Sequence, residues 1–142
     1  MNQTKMNAMN QIRHQDLIKD LKTILEEQAK QVVFAYIFGS LVKSGSYRAG
    51  DIDLAVFFEK SESVSFLDAK LDLNATLSRM LKFDDIDILI LNTARNLILL
   101  DEVIRDGIVI LDKDPNFRED FEQRILHQAL DFKYQRASIL GV

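Results

Sequence analysis

The chain has 142 residues, the length of one ordinary domain, with enough buried surface for a core. Its 47% hydrophobic and 28% charged residues, with five glycines and one proline, exclude a disordered or fibrous chain, and its net charge of -4 supplies no basic face for wrapping long nucleic acid. The absence of cysteine rules out disulfides and thiolate metal sites, and no apolar run is long enough to cross a membrane or drive export, so a cytoplasmic protein is expected.

From Met9 to Lys30, Ile12, Leu17, Ile18, Leu21, Ile24 and Leu25 recur at the helical period with charges between them, predicting an amphipathic helix. Val32–Phe38 (VVFAYIF) is β-branched and aromatic throughout and reads as a central strand covered on both faces. It stops at Gly39. Ser40–Gly50 carries three serines and two glycines and reads as a connector, with Leu41 and Val42 placed to start a short helix after the Gly-Ser turn.

Asp51–Phe58 (DIDLAVFF) puts Ile52, Leu54 and Val56 on one parity and Asp51 and Asp53 on the other, as a strand with both acids on one face. A second amphipathic helix is expected over Ser63–Lys82, with Ser65 and Asp68 as a capping pair. Ile86–Leu91 reads as a third strand, and Asn92 or Thr93 caps a helix over Ala94–Asp106 that Gly107 stops. Ile108–Leu111 is a short fourth strand. After Pro115, the stripe Phe117, Phe121, Ile125, Leu126, Leu130 and Phe132 marks a closing helix, read as core in preference to a partner groove. No repeat or linker divides the chain, which predicts a single α/β domain over residues 1–142 with a short mixed sheet of about four strands flanked by helices.

The arrangement that points to chemistry is Gly39-Ser40, ten residues, then Asp51-Ile52-Asp53, with Asp87 inside an otherwise apolar strand. Phosphoryl and nucleotidyl transfer need the charge of a triphosphate neutralised, and divalent ions held by carboxylate oxygens do this while aligning the attacking and leaving oxygens. Residues two apart on a strand share a face, so Asp51 and Asp53 are candidate metal ligands, and Asp87 is a third ligand or the group that takes the nucleophile's proton. Gly39 has no Cβ to obstruct a phosphate, and Ser40 offers an N–H and a hydroxyl, so the pair reads as the phosphate grip.

Plainer readings exist for each residue. A Gly-Ser pair alone is usually a turn, and Asp51 and Asp53 alone could face solvent at a strand entry. Asp85 shares the parity of Asp87 but lies outside the apolar run, and Asp84 reads as solvent-facing. Lys43 and Arg48 are loop cations that could steer a phosphate or simply be solvated. His14 and His127 have no second ligand at metal spacing and read as surface or partner-contact residues, and Tyr36 and Tyr47 have no assigned role.

FGSLVKSGSYRAGDIDLAVFF followed by DIDILILN resembles the minimal nucleotidyltransferases of the polymerase-β-like superfamily, whose pattern is G-S, a spacer, D-x-D and a later strand Asp. The resemblance covers most of the chain, since the opening helix, NTARNLILLDEVIRDGIVIL and the length also look like the stand-alone members, the antitoxin partners of HEPN toxins. Many members have Gly at the fourth position after G-S and Ser before D-x-D, where this chain has Ser44 followed by Gly45, and Gly50.

The resemblance implies a nucleotidyltransferase fold, ATP as substrate and Mg2+ as cofactor. It also implies transfer of AMP to a hydroxyl, a tyrosine's, of a cognate HEPN toxin protein bound in a hetero-oligomer. Catalytic and metal roles then fall on Asp51, Asp53 and Asp87, and nucleotide binding on Gly39 and Ser40. The alternatives are an antitoxin that neutralises by binding alone and an enzyme that modifies a small molecule.

Overall fold

The computed structural model describes residues 3–44 and 51–140, with side chains from Asp16 to Lys43 and from Asp51 to Ile139. The first helix, α1 (Gln3–Gln28), turns Leu17, Leu21, Ile24 and Leu25 inward, as their spacing requires. The apolar run that follows forms β1 (Val32–Phe38), and Ser40–Ser44 closes into the short helix α2. The next elements are β2 (Ile52–Phe58), α3 (Phe66–Leu81) and β3 (Ile86–Ile90). The chain then forms α4 (Leu97–Asp106), β4 (Ile108–Asp112) and α5 (Pro115–Leu140).

The four strands make one mixed sheet in the order β3-β2-β1-β4, with β1 antiparallel to both neighbours and β2 parallel to β3. A parallel pair needs a crossover, and α3 supplies it. Alternation along the strands divides the core between the two faces. Ile37, Leu54, Val56 and Ile88 pack with Leu21 and Leu25 of α1 and Leu73 and Leu77 of α3. On the other face Phe34, Tyr36 and Ala55 pack with Leu100 and Val103 of α4 and Phe121 and Ile125 of α5. The central strand is therefore covered on both sides, as its unbroken apolar run predicts.

Three expectations are corrected. The cap of α4 is Asn96, whose side chain accepts from Leu99 N, and not Asn92 or Thr93. Asn92 instead clamps the end of β2: its amide accepts from Phe58 N and donates to Phe58 O, both at 2.8 Å. A strand edge with unpaired backbone groups takes precedence here over a helix start.

The second correction concerns α5. Its apolar stripe is core only in part: Phe121, Ile125 and Ala129 are buried, whereas Phe117, Leu130 and Phe132 are exposed. The third concerns Asp51, which lies just before β2 and not inside it. Gly107 does end α4, with an extended φ of -72°; a Cβ there would overlap the Val103 carbonyl oxygen and crowd that of Ile37, so close packing, not handedness, selects glycine.

Candidate active site

The site begins where β1 ends. Gly39 takes φ +78°, a left-handed conformation that side chains resist, and the chain turns directly into α2, with Lys43 N donating to Gly39 O at 3.1 Å. Asp53 stands beside this turn, because β2 pairs with β1 so that Asp53 lies opposite Phe38. A Cβ on Gly39 would overlap Asp53 Oδ2. The space that Gly39 leaves by lacking a Cβ is taken up by the Asp53 carboxylate.

The parallel pairing of β2 and β3 sets Asp53 directly opposite Asp87. Both belong to the strand parity that faces α4 and α5, the side on which Ala55 and Leu89 pack. Asp53 is half-buried, while Asp51 and Asp87 are exposed. Burial pushes the Asp53 carboxyl above the usual carboxylate range, and the negative charges of Asp87, Asp51 and Glu102 push it further. Like charges about 4 Å apart repel by roughly 4 kcal/mol at an effective dielectric near 20, so such a group favours a counter-cation.

Asp84 and Asp85 precede β3 and are not among the acids that act on Asp53. They lie on the connector into β3, where the Asp85 carbonyl accepts from Ile52 N at 2.8 Å and that of Asp84 from Ile86 N at 2.9 Å. Of the acids in the segment Asp84–Asp87, it is Asp87 whose charge bears on Asp53.

Glu102 was not legible as a site residue. It projects from the last turns of α4 and forms an ion pair with Lys43 Nζ. A glutamate on an amphipathic helix normally reads as a solvated face; the only available signal was that Gly107 and β4 follow at once, which returns the end of α4 to the end of β1. Lys43 accordingly has a protein partner, and Glu102 with Asp106 holds its ammonium above its ordinary value. Arg48 and Tyr47 lie outside the described residues, as do Gly45 and Gly50, and the side chain of His14 does too. His127 is exposed on α5.

Tyr36 acquires a role. It is buried, its hydroxyl donates to Glu122 at 2.6 Å, and Arg118 bridges Glu122 at 2.6 Å and Asp112 at 2.7 Å. Burial and the Glu122 carboxylate push the Tyr36 phenol well above its usual range, so this hydroxyl is a structural donor.

The donors at the acidic end are all oxygens, which suits a hard divalent cation. Among the described residues no three acids or histidines are assembled as a ready cage. The arrangement fits an ion that keeps several waters and takes one or two carboxylates together with substrate phosphates, the usual habit of Mg2+. A cavity of about 630 Å³ lined by Phe57, Phe58, Phe66 and Phe117 opens at the opposite end of the sheet. Electrostatics, not cavity size, marks the acidic end as the candidate site.

Residues 19–116, more than half of the chain, match the family model described as polymerase beta, nucleotidyltransferase. No curated protein matches the chain. Among solved structures, a toxin–antitoxin with AMP-PNP is similar at a TM-score of 0.68 and 21% identity, over 87% of this chain and 95% of that one. Another is a tri-AMPylated HEPN toxin from Shewanella oneidensis in complex with its MNT antitoxin, at a TM-score of 0.65 and 20% identity, over 90% of this chain and 96% of that one. The chain belongs to the polymerase beta nucleotidyltransferase family.

Proposed function

We propose that this chain is a single catalytic domain that transfers AMP from ATP to a hydroxyl, a tyrosine's, of a cognate HEPN toxin in the cytoplasm, and so acts as the toxin's antitoxin. The observation that carries the reading is the register that sets Asp53 against Asp87, beside a left-handed glycine that yields space to the Asp53 carboxylate. The similar structures that contain AMP-PNP and an AMPylated HEPN toxin support the choice of nucleotide and acceptor.

In this account Asp51 and Asp53 hold Mg2+, with Asp87 adjoining, and Gly39 and Ser40 receive the triphosphate. Mg2+, when bound, neutralises charge on the phosphates and orients the α-phosphorus for in-line attack. Asp87 accepts the proton of the acceptor hydroxyl as its oxygen bonds to the α-phosphorus. The bond from that phosphorus to the bridging oxygen breaks, and pyrophosphate leaves. The raised Asp53 carboxyl marks the electrostatic load that a bound cation relieves.

Incubation of the chain with α-labelled ATP, Mg2+ and a HEPN partner tests this directly: label should reach the partner, and Asp53→Asn should reduce transfer by roughly a thousandfold or more. Equal labelling by that variant would refute the catalytic assignment. Full neutralisation of the toxin by an Asp51→Asn/Asp53→Asn double variant would favour an antitoxin acting by binding alone.

A further inference from the structure

The ion pair between Lys43 and Glu102 ties the helix that follows the Gly-Ser turn to α4, and the nucleotidyl-transfer reading leaves it unexplained. Lys43 lies on α2, in the turn directly after the proposed phosphate grip, and Glu102 lies on α4, facing that turn. Both side chains reach solvent, at 58% and 31% exposure, so the pair is open to an incoming anion. Glu102 also acts on Asp53 through its charge, which places it within the field of the acids that would meet the substrate.

A carboxylate of this kind opposes a triphosphate in two ways: it adds negative charge to the site, and it occupies a cation beside the grip. We infer that Glu102 is a positioning residue that parks Lys43 in the nucleotide-free chain, and that Lys43 leaves Glu102 for the triphosphate when the nucleotide enters. The exchange follows from charge. A triphosphate carries several negative charges where Glu102 carries one, so the ammonium gains by the swap, while without nucleotide it stays paired and directed into the site. The nucleotide must displace Glu102, which lowers affinity for free phosphates of lesser charge and favours the fully charged triphosphate.

The inference rests on the nucleotidyltransferase reading, and its test separates the two. Calorimetric titration of AMP-PNP with Mg2+ is made into the wild type, Glu102→Gln, Lys43→Gln and the double variant, with melting temperatures recorded for each. All four should fold, since the altered side chains are surface groups. Glu102→Gln should bind roughly two- to fivefold more tightly, the weight of an exposed ion pair. Lys43→Gln should bind more weakly, and the gain from Glu102→Gln should largely disappear in its presence.

The gain should also shrink as salt is raised, and Glu102→Asp should restore the wild-type value. No gain from Glu102→Gln, or a gain of equal size with and without Lys43, would overturn the exchange while leaving the nucleotide site standing. Failure of the wild type to take up AMP-PNP with Mg2+ would overturn both.

Discussion

Gly39 shows how one missing methyl can decide a site. Its φ of +78° and the overlap that any Cβ would make with Asp53 Oδ2 are separate demands for glycine. An alanine in a left-handed conformation costs roughly 1–2 kcal/mol, and displacement of a reacting group by about an ångström costs on the order of a hundredfold in rate. Gly39→Ala should therefore lower stability by about that amount in a denaturant titration and lower label transfer by about two orders of magnitude. A variant that loses stability but keeps its rate would show that the Asp53 position is not critical.

Asp53 carries the opposite signature. Its folded pKa is raised above the ordinary value of 3.8, so its contribution to stability is fully present below that pH and is lost as pH rises through the folded value. At neutral pH, without metal, the ionised group is a burden, and Asp53→Asn should melt a few degrees higher than wild type while being inactive. The advantage should fade as pH falls toward 4 and should shrink when Mg2+ and nucleotide are added, because a bound cation stabilises only the wild-type carboxylate. Melting curves across pH with and without Mg2+ read this directly, and an advantage independent of pH would contradict the assignment of the burden to this charge.

At the scale of elements, the strands are legible from two signals, an unbroken β-branched and aromatic run in β1 and an alternation of apolar and acidic residues at the start of β2. Val32–Phe38 matches β1 residue for residue, and the Asp51–Asp53 parity follows the alternation of β2. What the sequence could not supply was strand order: Asp87 meets Asp53 only because α3 carries β3 to lie parallel beside β2. The start of α4 departs from its expected place for a related reason. Asn92 and Asn96 are equally good caps by residue type, and the choice depends on Asn92 being needed at Phe58.

The two asparagines should separate on substitution. Asn96→Ala should cost about 1 kcal/mol, the loss of one helix cap. Asn92→Ala should cost roughly 2 kcal/mol, since it leaves two backbone groups of β2 unpaired. Thr93→Ala should be near neutral. Equal costs at Asn92 and Thr93 in urea denaturation would contradict the clamp.

Between α5 and the sheet, Arg118 joins Asp112 and Glu122, and Glu122 accepts from Tyr36. Arg118→Met removes the shared cation from two partly buried carboxylates and should cost roughly 2–3 kcal/mol, against about 1 kcal/mol for Tyr36→Phe. The same denaturant measurement checks both.

Over the whole molecule, the fold separates two kinds of acid. Asp101 is buried between α4 and α5; burial pushes its carboxyl up, but hydrogen bonds from Lys133 and Arg105 together outweigh that and hold it below its ordinary value. Its contribution is present above pH 3.8 and is lost as pH falls through the lowered folded value, the reverse of Asp53. Cations of the protein itself offset the charge of Asp101, whereas burial and neighbouring acids both act against that of Asp53. Burial and the pairs that join separate elements, Lys133 to Asp101 and Lys43 to Glu102, arise only when distant segments pack, which is why Glu102 escapes a reading of the sequence while the D-x-D motif does not.

Nucleotide binding through a divalent cation held by acids of separate strands is decided by comparing AMP-PNP uptake in calorimetry with and without Mg2+ for the wild type and Asp53→Asn. Heat should appear only for the wild type with Mg2+ present. Equal uptake by the variant, or uptake that does not depend on Mg2+, would contradict the account.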